Sequence, residues 1–199
     1  MESPFAALAR KYRAMADLRR AHAAGGGTAT PAVLRALAAE FPGALRELDA
    51  LTLETLDRRA EALTAAADGT TPAEPWMTWL QGYHGLLRAA LRVKRRVARA
   101  PVIPDARADA LAREATEAAG IPLDAAFVRA VAHPPGGRIN GVVFARLGEH
   151  LGVAPEAVWD ALFPTRRPDR FRPMPTAEPA TEAGTAQAPR PPDGGVPSG

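Results

Sequence analysis

Apolar side chains recur every three or four positions along most of the chain up to residue 163, which is the period of an amphipathic α-helix. Proline and glycine interrupt this pattern at intervals, and each interruption predicts a helix end. The predicted helices cover approximately 4–23, 31–41, 52–67, 75–99, 105–119 and, as a closely spaced pair, 140–163, with a short helical stretch near 122–131. Strand-like alternation is absent from the pattern, so the sequence predicts an all-α bundle of six or seven helices.

The longest predicted helix runs from Pro75 to Arg99 and has the most regular apolar face. Its apolar positions follow alternating steps of three and four residues, as in a coiled-coil seam. They are Trp76, Trp79, Tyr83, Leu86, Ala90, Val93 and Val97. Three leucines widen this seam into a face suited to burial. We therefore predict that this helix is the long central element of the fold, with His84 as a polar residue at the edge of its apolar face.

Loops rich in proline and glycine suggest how the chain is divided. A helical domain is expected over residues 1–132, followed after the loop His133–Gly137 by a helix-turn-helix-like subdomain at 138–163 that packs on it. Residues 173–199 contain seven prolines and very few aliphatic residues beyond alanine. A segment of this composition cannot bury enough apolar area to offset the entropy of ordering, so it predicts a disordered tail.

Composition excludes several kinds of chemistry. The chain has no cysteine, so it cannot form a disulfide, use a thiolate as a nucleophile or bind zinc through thiolates. Its serines, Ser3 and Ser198, lie near the termini, its four histidines lack metal-ligand spacing, and no nucleotide-binding motif is present. We therefore expect a non-enzymatic protein without a cofactor or metal. The N-terminal apolar pattern contains charged residues and no stretch reaches membrane-spanning length, which predicts a cytoplasmic protein without a membrane partner.

The net charge of +3 is small, but the charges are unevenly distributed. Residues 75–104 contain six basic residues and no acidic one. These six are Arg88, Arg92, Lys94, Arg95, Arg96 and Arg99. Four more arginines follow the last predicted helix, at Arg166, Arg167, Arg170 and Arg172. A basic helix face and a basic arm can follow a phosphate backbone, so all ten residues are candidates for nucleic-acid binding. The alternatives are a solvated face, a face paired with carboxylates of residues 105–124, and a basic start to the tail.

Two short apolar-faced segments meet at Leu151-Gly152-Val153, where glycine permits a sharp turn. Residues 144–163 resemble the bacterial helix-turn-helix pattern, in which a short helix ends at Leu-Gly-Val and a second begins at once. The resemblance covers about a tenth of the chain and implies a helix-turn-helix-like pair. Gly148 stands where that pattern usually has alanine, and Ala154 stands where Ser or Thr would cap the second helix.

The outward positions of the second helix bear on what this pair could recognise. They include Glu156, Trp159 and Asp160, and a helix that reads DNA seldom carries acids without a base. This disfavours DNA reading by that helix and leaves a packed helical hairpin as the alternative.

Two function classes remain open from the sequence. In the first, the protein binds DNA or RNA through the basic helix face and the arginine-rich arm, with the helix-turn-helix-like pair as a further candidate surface. In the second, it is a helical adaptor that binds another protein and no nucleic acid. Its contact would be the coiled-coil-like seam of the long helix or Trp159, which should then be more than half exposed.

Overall fold

The computed structural model describes residues 3–24, 31–97 and 102–164, and these residues form nine α-helices and no strand. The helices are α1 (Pro4–Ala23), α2 (Pro31–Glu40), α3 (Ala44–Ala50), α4 (Leu53–Ala67), α5 (Pro75–Val97), α6 (Asp105–Ala119), α7 (Ala125–Ala132), α8 (Ile139–Leu151) and α9 (Pro155–Leu162). The predicted all-α class is confirmed. The described residues contain nine helices rather than the six or seven expected, and α3 is the one that the sequence did not predict as a separate element.

Local sequence signals set several helix ends. The side chains of Ser3, Thr52 and Asp124 each accept a hydrogen bond from a backbone N–H of the helix that follows, which satisfies a donor without an intrahelical partner. Gly120 and Gly152 end α6 and α8 in the left-handed conformation, which glycine adopts at little cost. The Thr52 cap also divides the leucine-rich segment after Pro42 into two helices.

The central element of the packing is α5. It contacts α1, α6, α7, α8 and α9, while α1 and α4 pack extensively on each other. Leu86 and Ala90 of the α5 seam are completely buried, as is Leu80 beside it, and the remaining members of the seam are buried or half-buried. Burial of such side chains contributes about 1.5–3 kcal/mol each for the large aliphatic residues, so the apolar face of α5 holds the surrounding helices together.

The pair α8–α9 packs on α5 through an aromatic cluster. The ring centroids of Tyr83 and Phe144 are 5.1 Å apart, and those of Phe144 and Trp159 are 5.0 Å apart. Gly148 lies at the close approach of the two helices, where a Cβ atom would come within 2.7 Å of the Val153 carbonyl oxygen. The absence of alanine at this position therefore follows from the tightness of the turn.

Two sequence expectations fall on residues outside the described part of the chain. They are the disordered tail at 173–199 and the last two residues of the long helix predicted to end at Arg99. Within the described residues, none of the helices combines the length and the apolar character that a bilayer-spanning helix requires.

Candidate functional site: a basic helix face and an adjoining cavity

Three of the predicted basic residues form one exposed row on α5, which we call the basic stripe. Arg88, Arg92 and Arg95 follow one another at four- and three-residue steps, and all three are exposed. The helical rise places them over about 10 Å of the axis of α5, a length over which one strand of B-DNA carries about three phosphates at its axial rise of about 3.4 Å each. Among the described residues, no carboxylate lies within ion-pair distance of these guanidinium groups.

Two other predicted residues of α5 are engaged in internal contacts. Arg96 forms an ion pair with Glu114 of α6, with Nη1 2.5 Å from Oε2. The ammonium group of Lys94 donates a hydrogen bond to the carbonyl oxygen of Ala132 at 2.7 Å and is half-buried. The expected pairing with carboxylates of residues 105–124 is therefore real for Arg96, and the basic face is narrower than the sequence suggested.

The structure adds one arginine that no sequence pattern indicates. Arg107 at the start of α6 is exposed and donates a hydrogen bond to the Arg96 carbonyl oxygen at 3.2 Å. Its guanidinium group therefore lies beside the C-terminal end of α5. The sequence does not predict this proximity to α5, because Arg107 lies in a separate helix that also contains acidic residues.

The remaining predicted basic residues lie outside the described part of the chain. They are Arg99, Arg166, Arg167, Arg170 and Arg172.

Trp159 does not have the exposure that a protein-contact role would need. Only 6% of its surface is exposed to solvent, and it packs against Phe144 and Phe163 in the aromatic cluster. The reason is helix register, since the turn at Gly152 directs this position of α9 toward α8 and the core. Trp159 is therefore a core residue, and we correct its assignment as an exposed contact.

Beneath one flank of α5 lies a cluster of five buried polar residues, which we call the buried cluster. Its members are Lys11 and Tyr12 of α1, Glu47 of α3, Arg59 of α4 and His84 of α5, each at most 6% exposed. Lys11 Nζ and the Tyr12 hydroxyl donate to the same carboxylate oxygen, Glu47 Oε2, at 2.5 and 2.7 Å. The other oxygen, Oε1, accepts no hydrogen bond from the described residues, although His84 Nε2 lies 3.5 Å away.

Arg59 connects the buried cluster to the end of the described chain. Its guanidinium group donates to the Tyr12 hydroxyl at 3.2 Å and to the Leu162 carbonyl oxygen at 2.6 Å. The same group lies 5.4 Å from the centre of the Trp76 ring, within cation–π range. Arg59 thus links α1, α4, α5 and the end of α9.

His84 is buried, which corrects its expected position at the edge of the apolar face. Burial, with a contribution from the nearby charges of Lys11, Arg88 and Arg59, lowers the pKa of His84 well below 6.5. Lys11 Nζ lies 2.8 Å from His84 Nε2. A protonated lysine can only donate, so the neutral imidazole accepts at Nε2 and carries its proton on Nδ1.

The two remaining titratable members of the cluster are also perturbed by burial. Burial lowers the pKa of Lys11 to about 8, although the Glu47 carboxylate opposes this effect. Burial and the Glu47 carboxylate raise the pKa of Tyr12 well above 10. At neutral pH the cluster therefore contains two cations, Lys11 and Arg59, against one carboxylate.

A cavity of about 220 Å³ opens beside the buried cluster, between α1, the α2–α3 turn and the C-terminal end of α6. Its floor is formed by one face of α5. Its polar lining residues are Glu40, Gln81, His84 and Arg88, and most of the rest are apolar or small, including Leu8, Phe41 and Ala118.

The cavity and the basic stripe are parts of one surface. Gln81, Gly85 and Arg88 line the cavity at four- and three-residue steps, and Arg92 and Arg95 continue the same row along α5. Gly85 is required here, because a Cβ atom would come within 2.8 Å of the Ala119 carbonyl oxygen. Arg88 therefore belongs to both features.

The described residues contain no group of three or more histidine or acidic side chains arranged to hold a metal ion. Comparison of the chain with protein-family models, with curated proteins and with solved structures gave no match. The exposed arginines and the cavity on α5 are therefore the features from which we argue a function.

Proposed function

We propose that the protein binds nucleic acid without catalysing a reaction, using the basic stripe on α5 as its phosphate-binding surface. The observation that carries this proposal is the row of three exposed arginines, none of which is paired with a carboxylate of the described residues. Arginine suits this role because its planar guanidinium group donates several hydrogen bonds in a fixed geometry that matches phosphate.

Two further features support the same surface. Arg107 lies at one end of the stripe, which extends the positive charge onto α6. The segment 75–104 contains six basic residues and no acidic one. Carboxylates that neutralise these charges must therefore come from other segments, as Glu114 of α6 does for Arg96. The helix-turn-helix-like pair contributes no arginine from its second helix, so we assign the contact to α5 rather than to α9.

An adaptor function is the competing proposal, and the structure gives it less support. Its named contact residue, Trp159, is buried. The large aliphatic residues that are exposed among the described residues, Val33, Leu45 and Val102, lie on three different segments of the chain.

The test compares two triple charge reversals that change the net charge equally. One carries Arg88→Glu, Arg92→Glu and Arg95→Glu on the stripe, and the control carries Glu at Arg35, Arg46 and Arg58, which are exposed on α2, α3 and α4. Binding of a labelled oligonucleotide of mixed sequence is measured by fluorescence anisotropy over a salt series.

We expect the stripe variant to lose affinity and to show a shallower salt dependence than the control. Each phosphate contact contributes about 0.7–0.9 to the slope of log K against log salt, so loss of three contacts should reduce the slope by about 2–3. Equal effects of both variants would assign the binding to net charge alone. Absence of salt-dependent binding by the unmodified protein would reject the proposal and favour an adaptor.

A further inference from the structure

We infer that the cavity beside the basic stripe accepts one unstacked base of a single-stranded nucleic acid, with a preference for a base that carries an exocyclic amine. This inference rests on the proposed function, since it requires that the phosphates of the same strand lie along Arg88, Arg92 and Arg95. It adds the form of nucleic acid and the kind of base that this surface would select.

The size and lining of the cavity fit a single heterocyclic ring. Its volume of about 220 Å³ is below the range of about 300–1,000 Å³ typical of sites for drug-sized ligands. Leu8 and Phe41 supply apolar and aromatic lining from opposite elements, α1 and the α2–α3 turn. Bases are held in this way by proteins that bind single strands, where stacking on side chains replaces stacking in a duplex.

The position of Arg88 links the cavity to a strand. Arg88 lines the cavity and also begins the basic stripe, so a nucleotide with its base in the cavity would have its phosphate near this guanidinium group. Neighbouring phosphates would then be within reach of Arg92 and Arg95, one and two turns further along α5. A base in an intact duplex is stacked and paired and cannot enter, so the arrangement favours a single strand.

The remaining polar lining residues explain a preference among bases. Glu40 and Gln81 both line the cavity, and their side chains carry a carboxylate and an amide oxygen that can accept hydrogen bonds. Carboxylate and amide oxygens accept hydrogen bonds from the exocyclic amines of cytosine and adenine, which thymine and uracil lack. Arg10, whose guanidinium nitrogen lies 3.9 Å from Glu40 Oε1, reduces the repulsion between that carboxylate and the strand.

His84 contributes a neutral wall. Its imidazole is buried and uncharged at neutral pH, and its Nε2 is already engaged by Lys11. The positive charge of this surface is therefore concentrated at Arg88, on the side where the strand would leave the cavity.

The experiment blocks the cavity without changing charge. Ala118→Phe places a ring at an exposed position of α6 that lines the cavity, and Ala126→Phe is the control at an exposed position of α7 that does not line it. Affinities for labelled oligo-dC, oligo-dT and a mixed-sequence duplex are measured at one salt concentration, after thermal unfolding has shown that both variants fold.

The unmodified protein should bind oligo-dC about fivefold more tightly than oligo-dT. Ala118→Phe should weaken oligo-dC binding about tenfold and leave duplex binding unchanged, whereas Ala126→Phe should change neither. Glu40→Gln, which keeps the size of the side chain and removes its charge, should reduce the preference for oligo-dC.

The outcomes separate the inference from the proposed function. If the stripe variant loses binding but Ala118→Phe binds all three oligonucleotides like the unmodified protein, the cavity is not a base site and the phosphate surface stands. If the unmodified protein binds oligo-dC and oligo-dT with equal affinity, and Ala118→Phe weakens binding of both equally, the proposed recognition of the exocyclic amine is wrong. If the unmodified protein binds none of the three, both proposals fail.

Discussion

Replacing Glu47 by Gln removes the carboxylate from the buried cluster while keeping the shape of the side chain. In the folded protein, this carboxylate accepts hydrogen bonds from Lys11 Nζ at 2.5 Å and from the Tyr12 hydroxyl at 2.7 Å, and its side chain is 1% exposed. The variant therefore leaves two buried cations, Lys11 and Arg59, without the anion that stabilises them.

The size of the effect is limited by what Lys11 can do. Arginine does not lose its proton in proteins, but lysine can. Converting a lysine of ordinary pKa 10.5 to its neutral form at pH 7 costs about 5 kcal/mol, which sets an upper limit for Lys11. Removing one partner from a buried ion pair typically costs about 3–5 kcal/mol. We therefore expect Glu47→Gln to lower the free energy of unfolding by about 3–5 kcal/mol at neutral pH.

The assay is urea denaturation followed by circular dichroism, with Glu61→Gln on the exposed face of α4 as a control expected to change stability by less than about 0.5 kcal/mol. The pH dependence gives an independent signature. If Lys11 is neutral in the folded variant, folding releases its proton, so the stability of the variant rises with pH. The difference from the unmodified protein should narrow by about 1 kcal/mol between pH 7 and 8, because the variant gains about 1.4 kcal/mol while the unmodified protein, whose Lys11 is half deprotonated at its pKa of about 8, gains about 0.4 kcal/mol.

A loss below about 1 kcal/mol would contradict this reasoning, because it would show that the buried cations do not depend on Glu47. A difference that does not narrow as pH rises would show that Lys11 keeps its proton in the variant. As a second check, Lys11→Met combined with Glu47→Leu should be more stable than Glu47→Gln, since an apolar pair in place of an ion pair leaves fewer buried charges without partners.

Three further changes test other parts of the structure. His84 is neutral in the folded protein but takes up a proton in the unfolded chain as pH falls below about 6.5, so it makes the folded state less stable in acid. The variant His84→Gln should therefore show a smaller fall in the urea midpoint between pH 7 and 5. The control His150→Gln, at an exposed position, should show the same fall as the unmodified protein. Gly148→Ala should cost about 1–3 kcal/mol in urea denaturation because its Cβ would meet backbone atoms, and Gly82→Ala should cost less because the nearest atom there is the end of a leucine side chain. Arg59→Met should speed amide hydrogen exchange in α9 more than in α7, because it removes a bond to the end of α9.

Local signals were sufficient to predict much of the helical structure. The first helix was expected over 4–23 and is observed at Pro4–Ala23, because a first-turn proline and a regular apolar repeat define it within a short stretch. The long helix was expected to begin at Pro75 and does so. The split between α3 and α4 was less visible, because leucines continue through both helices and only the Thr52 cap separates them.

The buried cluster was not predicted, because its members come from four helices that are distant in the sequence. Glu47 lies 36 residues from Lys11, and His84 lies 73 residues from it. A lysine next to a tyrosine within an apolar repeat is ordinarily a residue at the edge of a core. Only the packing of α3 and α5 against α1 shows that Lys11 is completely buried, and single-sequence periodicity carries no information about such packing.

The candidate site was predicted in part for a similar reason. Helical periodicity placed Arg88, Arg92 and Arg95 on one face of a single helix, which requires no knowledge of tertiary structure. The engagement of Arg96 by Glu114 depends on how α6 crosses α5. The cavity lies between elements that meet only in the folded chain, so no local pattern marked it.

The bond from Arg59 to the Leu162 carbonyl oxygen has a consequence for how the protein is made. It joins residues 103 positions apart, so it closes one of the longest loops among the described contacts that tie α4 to the rest of the chain. During synthesis, Arg59 can form this hydrogen bond only after a further 103 residues, more than half of the chain, have been added. The packing of α1 and α4 therefore lacks this hydrogen bond until α9, the last helix among the described residues, has been synthesised.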